Sequence, residues 1–293
     1  MQQTIVVAGG TGNLGGRLIK NLLAQGAAVR ALVRAEAEPA KVTQLTEQGA
    51  QLITVDMTDV AQLTRACQGA ACVVSVLQGL RDVIVDTQTA LLTAAVAAGV
   101  PRFIPSDFSS DFTKLPAGDN RNFDLRREFR ARLDQAPIAS TSVLNGAFAD
   151  LLQYGVTLLD FKQKCVSYWG DADWRIDFTT MDDTAAFTAA AALDAHTPRF
   201  LRIASFQISP AELAAVATAG RKTPFELVRL GSRDELGLRI QQARAAHPEG
   251  EQELYPVWQQ MQYMLSMMSV QNEPLDNGRY PQLAWKSAHD LLS

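Results

Sequence analysis

The run Gly9-Gly10-Thr11-Gly12-Asn13-Leu14-Gly15-Gly16 can do chemistry without a single reactive side chain. It lies between an apolar stretch, Thr4 to Ala8, and a helical pattern in which Leu14, Leu18, Leu22 and Leu23 share a face. A strand that turns through glycines into a helix aims backbone N–H groups and the positive end of the helix dipole at one point. A diphosphate fits there because glycine has no Cβ to hold it off. The spacing Gly9-x-x-Gly12-x-x-Gly15 differs by one position from G-x-G-x-x-G, yet each glycine serves the same mechanical end. The expectation is a dinucleotide site, with Gly9, Thr11, Gly12, Asn13, Leu14 and Gly15 around the phosphates.

Choice of dinucleotide is set where the second strand ends. The run Val29–Val33 delivers Arg34, a fork of donors suited to a 2′-phosphate, where an acid would instead accept from ribose hydroxyls. Lys41 follows as a second cation, while Glu36 argues the other way. NADP(H) is the expected cofactor, with NAD(H) the alternative. Asp56, at the end of the third strand, is either a partner for the adenine amino group or a cap for the next helix.

Other reactive residues point away from other chemistries. Cys67, Cys72 and Cys165 are odd in number and form no C-x-x-C, so they read as small core residues. His196, His247 and His289 lie far apart without an acidic ligand at helical spacing, so no metal site is expected. Tyr154, Tyr168, Tyr255, Tyr263 and Tyr280 all lack a lysine four residues on, so no Tyr-x-x-x-Lys pair exists.

The elements that must position these residues alternate. Strands read at Thr4–Ala8, Val29–Val33, Gln51–Val55, Ala71–Leu77, Arg102–Pro105 and Ala139–Leu144. Helical patterns fill the gaps at Leu14–Leu23, Val42–Gln48, Val60–Cys67, Val83–Ala98 and Asn122–Leu133. Gly26, Gly49, Gly69 and Gly99 each follow a helix, where a left-handed residue is wanted. Such alternation predicts an α/β fold, a Rossmann-type doubly wound parallel sheet over residues 1–149. After about Ala149 the rhythm breaks. Strand-like pieces at Lys164–Trp169 and Arg199–Ile208 mix with helices at Asp182–Leu193, Pro210–Ala219, Arg233–Ala245 and Glu253–Val270, and His247–Glu253 reads as a polar loop. Residues 150–293 are therefore expected to form a smaller, mostly helical substrate-binding region, partly interleaved with the first.

Composition excludes several classes. Of 293 residues, 47% are hydrophobic and 20% charged, with a net charge of −4: the balance of a globular protein with no basic face for nucleic acid. The apolar stretches Ala94–Val100 and Ala185–Leu193 are too short to span a bilayer, and the chain enters its first strand without a signal peptide. A cytoplasmic monomer or homodimer is expected, with no membrane or nucleic-acid partner.

The segment Arg102-Phe103-Ile104-Pro105-Ser106-Asp107-Phe108-Ser109-Ser110-Asp111, coming after Gly12-Asn13-Leu14-Gly15, resembles the NmrA-like and isoflavone-reductase-like branch of the atypical short-chain dehydrogenases. Gln88 ahead of Ala98-Gly99-Val100, the turn Asn145-Gly146-Ala147-Phe148, and Gly170-Asp171 followed by Asp182-Asp183 extend the likeness over essentially the whole chain. The resemblance implies a Rossmann domain, NADPH, and reduction of aromatic or phenolic substrates such as isoflavonoids, lignans and phenylpropenes. It also includes dinucleotide-binding members that act as redox-sensing regulators. By the same resemblance, Val76, Leu77, Ser106, Phe108 and Asn145 join the cofactor contacts, and Phe108, Asn145, Gly146 and Phe148 contact a small aromatic substrate.

This chain departs from the family's pattern. The reductase branch uses a lysine three residues after a phenylalanine on the helix following the Pro-Ser-acid-Phe loop. Here the pattern reads Phe123-Asp124-Leu125-Arg126, Asp107 replaces the usual glutamate, and Ser109 the usual glycine. Arginine stays protonated and cannot act as a base. Phe123, Leu125, Phe129 and Leu133 define one apolar arc of the helix, and Arg126 falls near its centre. Such a charge is either paired with a carboxylate, Asp107 or Asp111, or faces a cavity. Arg126 is the expected fixed cation of the reaction and Asp107 the expected proton source, a water being the alternative. The tail stripe Trp258, Met261, Met264, Leu265 and Met268 is either core, a dimer surface or, with Phe108, Phe148, Tyr168 and Trp169, a pocket wall.

Overall fold

The computed structural model describes residues 2–154 and 158–292. Their contacts divide into two compact units. The first comprises residues 1–108, 125–143 and 184–201. The second comprises 109–124, 144–183 and 202–293.

The first unit is built on a six-stranded parallel sheet. In chain order its elements are β1 (Thr4–Ala8), α1 (Asn13–Ala24), β2 (Ala28–Val33), α2 (Pro39–Glu47), β3 (Gln51–Thr54), α3 (Val60–Cys67), β4 (Cys72–Ser75), α4 (Gln88–Ala97), β5 (Arg102–Ile104), most of α5 (Arg121–Leu133) and β6 (Ala139–Ser140). Strand order is β3-β2-β1-β4-β5-β6, so the chain moves outward from β1 in one direction, then returns to lay β4 on its other side. β1 is central and covered on both faces, which is why Ile5, Val6, Val7 and Ala8 are all apolar and fully buried. α1 faces the core with Leu18, Ile19 and Leu22. α3 starts at Asp59, whose carboxylate accepts from the amides of Ala61 and Gln62. The fold class is therefore the expected one.

The second unit contains two three-stranded sheets. The strands are β8 (Ala147–Phe148), β9 (Leu159–Asp160), β10 (Cys165–Trp169), β11 (Ile176–Thr179), β13 (Phe206–Ile208) and β14 (Glu226–Gly231), in orders β14-β10-β9 and β13-β11-β8. Its helices are α7 (Pro210–Arg221), α8 (Arg233–Ala246), α9 (Val257–Met267) and α10 (Ala288–Leu292). Four elements, α5, β7 (Ser142–Leu144), α6 (Met181–Leu193) and β12 (Phe200–Arg202), contain points where the chain changes unit.

Several boundaries differ from the sequence reading. The helix expected at Val83–Ala98 opens with a π turn, Asp82–Thr87, before α4. The run Ala139–Leu144 breaks at Thr141 into β6 and β7, and Arg199–Ile208 splits into β12 and β13. α9 starts only after Pro256, a residue at home just outside a helix's first turn, and the loop expected at His247–Glu253 holds a 3₁₀ turn, Pro248–Gln252. β8, β9, β11, β14 and α10 have no counterpart in the sequence reading. Tyr154 belongs to a 3₁₀ turn, but its side chain lies outside the described residues. Among the described residues, no helix is long and apolar enough to cross a membrane.

Candidate functional site

β1 delivers Gly9 to the carboxyl edge of the sheet, at the point where strand order reverses. In open α/β sheets ligands bind at that switch point. Gly9 has φ +91°, and a Cβ placed on it would lie 2.6 Å from the carbonyl oxygen of Val76, at the end of β4. A Cβ on Gly15 would lie 2.2 Å from the Gly9 carbonyl oxygen. Both positions exclude a side chain, and the two backbone segments close on one another. The Gly12 amide donates to the Gly9 carbonyl at 3.0 Å. Gly12 is also the N-cap of α1 and offers no capping side chain, and the first turn contains no acid. Helix bonding begins with the Gly16 amide, which donates to the Gly12 carbonyl at 2.9 Å. The amides of Asn13, Leu14 and Gly15 precede it and are directed out of the helix end. This is a cradle for an anion, and the residues fit a dinucleotide diphosphate. The Asn13 carboxamide accepts from Arg17 one turn on.

The neighbouring strand ends line the same edge of the first unit. Ser106, two residues past β5, donates from its hydroxyl to the Leu77 carbonyl at 2.6 Å, and its amide donates to Gln88 Oε1 at 2.8 Å. Ser106 is thereby stitched to Leu77 and Gln88, while Val76 packs against Gly9. Arg34 follows β2 and is exposed. Lys41 forms an ion pair with Glu38 at 3.0 Å. Asp56 is committed locally: its carboxylate accepts from the Thr58 amide at 2.8 Å and the Thr58 hydroxyl at 2.7 Å, which holds its carboxyl below the usual range. Of the two readings for Asp56, the helix cap falls instead to Asp59.

Asp107 is buried, 1% exposed, with Phe108 buried beside it. Burial pushes its carboxyl above the ordinary carboxylate range. The Ser142 hydroxyl and the guanidinium groups of Arg126, Arg199 and Arg130 pull the other way. The Ser142 hydroxyl donates to Asp107 Oδ2 at 2.6 Å, and Arg199 Nη1 donates to Ser142 Oγ at 2.7 Å. Arg199 also donates from Nε and Nη2 to Asp134 Oδ1, at 3.0 and 2.8 Å. The first unit thus contains a chain from Asp134 through Arg199 and Ser142 to Asp107, with Arg126 close enough to stabilise the carboxylate. Sequence reading left Arg126 either paired with Asp107 or Asp111 or facing a cavity, and missed Ser142, Arg199 and Asp134. The only signal was a serine opening the apolar run Val143-Leu144. Asp111 is held by Arg202 Nε at 2.7 Å in the second unit.

Asn145, Gly146 and Phe148 also belong to the second unit. Trp258, Met264 and Met268 are buried there, as the core reading expected. Trp169 and Met268 in addition line a cavity of about 400 Å³ with Trp174, Arg229 and Arg233. The three cysteines are buried and free, and burial pushes Cys67 up to about 11 and Cys72 up to about 12. Cys67 and Cys72 stay protonated and supply no nucleophile. Among the described residues, no cluster of histidine, cysteine and acidic side chains is suited to a metal.

Comparison with known proteins follows the same lines. The model of the NmrA-like family matches residues 1–230. Pinoresinol reductase 1 of Arabidopsis thaliana is 28% identical over 98% of this chain and 95% of its own length. Pinoresinol reductase 2 of the same plant is 33% identical over 66% of this chain and 65% of its own. Among solved structures, AtPrR2 with NADP+ and (+)pinoresinol superposes with a TM-score of 0.80 at 24% identity, covering 100% of this chain and 98% of that one. An NADPH-dependent quinone oxidoreductase from Escherichia coli, QOR2, gives 0.74 at 20% identity, with 98% of each chain covered.

Proposed function

Since the chain belongs to the NmrA-like family, we propose that it is an NADP(H)-dependent reductase acting on a small aromatic or phenolic carbonyl, enone or quinone-type substrate. The observation that carries the reading is the crossover after β1, where Gly9 and Gly15 leave no room for a Cβ and the first amides of α1 open onto the switch point. The amides of Asn13 to Gly15, with Gly9, Gly12 and Thr11 shaping the turn, hold the diphosphate, and Arg34 takes the 2′-phosphate that separates NADP(H) from NAD(H). Asp56, Val76, Leu77, Ser106, Phe108 and Asn145 are assigned to the remaining cofactor contacts. The names of the relatives, pinoresinol reductases and a quinone oxidoreductase, support the substrate class. Phe108, Asn145, Gly146 and Phe148 are assigned to substrate recognition.

NADPH, when bound, supplies the hydride. Arg126 acts as a fixed cation that stabilises negative charge developing on the substrate oxygen, a role that needs no change in its own protonation. The proton comes from water or from Asp107, whose burial favours the protonated acid. The protein works as a cytoplasmic monomer or homodimer without nucleic acid, in keeping with its net charge of −4.

Purified protein given NADPH and a panel of quinones, phenolic enones and furofuran lignans is expected to oxidise the nucleotide with at least one of them. Arg126→Ala should lower turnover by about 10²–10³, as loss of an oxyanion-type donor does. Unchanged turnover in that variant would remove Arg126 from the reaction. A redox-sensing regulator is the second reading, favoured by arginine in the place of the family's lysine. It requires no turnover across the panel and unequal affinities for NADPH and NADP+.

A further inference from the structure

Gln88, the first residue of α4, is fully buried, and its carboxamide is engaged at both ends. Nε2 donates to the Ile84 carbonyl at 2.9 Å, and Oε1 accepts from the Ser106 amide at 2.8 Å. The π turn before α4 makes the first of these bonds available. The Gln88 amide donates to the carbonyls of Val83 and Val85 and passes over Ile84, the acceptor an α-helix would give it. The carbonyl so released takes the side chain of the same residue. A carbonyl needs a donor and an amide an acceptor, and one uncharged carboxamide carries both.

All of these residues belong to the first unit, and they lead to the carboxyl edge of its sheet. Ser106 follows β5, and its hydroxyl donates to the Leu77 carbonyl at 2.6 Å in the loop after β4. That loop is held at two further points. The Val76 amide donates to the Ala8 carbonyl at 2.9 Å, beside the glycine cradle. A Cβ on Gly79 would lie 2.5 Å from Val83 Cβ, so the π turn packs closely on the same loop. Gln88 thus ties the π turn to the loop after β5, and Ser106 ties that loop to the one after β4. Single π turns recur at functional sites, and here the turn fixes one carboxamide under two of the loops at the switch point.

We propose that Gln88 is a positioning residue for the second mononucleotide of the bound cofactor. The strand order β3-β2-β1-β4-β5-β6 sets two mononucleotide-binding halves side by side. With Arg34, after β2, on the adenosine 2′-phosphate, the half built on β4 to β6 is left for the nicotinamide nucleotide, and Leu77 and Ser106 lie at its loop ends. Gln88 touches no ligand in this role; it acts through Ser106, whose amide it holds and whose hydroxyl in turn holds Leu77. The inference rests on the NADP(H) reading above and adds to it the residue that shapes one half of the site.

Titration calorimetry on the intact protein tests this without turnover. NADP+ is compared with 2′-phospho-ADP, which keeps the diphosphate and the 2′-phosphate but lacks the nicotinamide ribose and ring. Gln88→Met fills the same space with neither donor nor acceptor. It is expected to weaken NADP+ on the order of tenfold, the scale of one buried hydrogen bond, and to leave the affinity for 2′-phospho-ADP unchanged. Gln88→Asn keeps the carboxamide but is one carbon too short to span both partners. It should shift the two affinities in the same way, and it carries the test if the Met variant does not fold. A defect that only loosens the fold would weaken both ligands alike; that result overturns the assignment, as do unchanged affinities for both. Either outcome leaves the NADP(H) reading standing. Absence of heat with both ligands in the wild-type protein overturns that reading and this inference together.

Discussion

Ser142 has one hydroxyl hydrogen, and that fact orders the polar chain around Asp107. Arginine can only donate, so Arg199 Nη1 must give its hydrogen to Ser142 Oγ, and the serine hydrogen must then go to Asp107 Oδ2. A proton held by Asp107 therefore sits on Oδ1. Because its pKa is raised in the folded state, Asp107 contributes stability that is complete below its unfolded value near 3.8 and is lost as pH rises through the folded value. Asp107→Asn keeps an acceptor for Ser142 but does not titrate. Melting temperatures measured from pH 4 to pH 8 should show the variant gaining on the wild-type protein as pH rises; a constant difference would mean that Asp107 titrates as it does in water. The glycines allow a second residue-scale test. Gly15→Ala puts a Cβ 2.2 Å from the Gly9 carbonyl and should abolish NADPH binding, whereas Gly16→Ala meets nothing closer than 3.7 Å. Within α1 the latter should raise stability by about 0.5–1 kcal/mol and leave binding intact, as unfolding and titration calorimetry would show. The glycine cradle was legible in the sequence because its parts are adjacent. The Asp107 chain was not, because Asp107, Ser142 and Arg199 are far apart along the chain and only the folded sheet brings them together.

At the scale of elements, α5 shows both what periodicity reveals and where it stops. Phe123, Phe129 and Leu133 are fully buried as their spacing requires, while Leu125 is only half-buried. Arg126 is partly exposed overall, yet its Nε is buried, as befits a guanidinium set within an apolar arc. The strands that sequence reading missed are short or lack alternation. β14 is exposed along nearly its whole length, and β11 is buried throughout despite Asp177. Neither pattern carries the period-two signal on which a half-buried strand is recognised. Helix α8 offers two opposed tests within one element. Its capping box is complete: the Ser232 hydroxyl accepts from the Glu235 amide at 3.1 Å, and Glu235 Oε2 accepts from the Ser232 amide at 2.6 Å. Ser232→Ala should cost about 1 kcal/mol, seen as a lower urea midpoint. A Cβ on Gly237 meets nothing within 4 Å, so Gly237→Ala should raise the midpoint by the equivalent of about 0.5–1 kcal/mol. If both substitutions leave the midpoint unchanged, α8 frays before the molecule unfolds.

At the scale of the whole molecule, the path of the chain decides what can be separated. The first unit is assembled from three stretches, and its last, residues 184–201, comes after 40 residues assigned to the second. That late stretch does essential pairing. Arg102, buried on β5, donates to the carbonyls of Ala191 and Ala192 at 2.8 and 3.0 Å and to the Thr197 hydroxyl at 2.7 Å. Arg199 completes the chain to Asp107, and its carbonyl accepts from the Ser142 amide at 2.9 Å. A fragment ending at residue 149, where the sequence rhythm breaks, would retain every strand of the six-stranded sheet yet lose the three acceptors of Arg102 and the Arg199 link to Asp107. Hydrogen bonds from a charged donor contribute about 1.5–3 kcal/mol each, so losing three removes a large share of the 5–15 kcal/mol that holds a domain together. The fragment 1–149 is therefore expected to show helical far-UV circular dichroism but no near-UV signal and no NADPH binding. Adding residues up to 201 supplies the missing acceptors. A fragment 1–149 that melts cooperatively and binds NADPH would show that the nucleotide-binding half folds without the returning segment, and that these acceptors are dispensable.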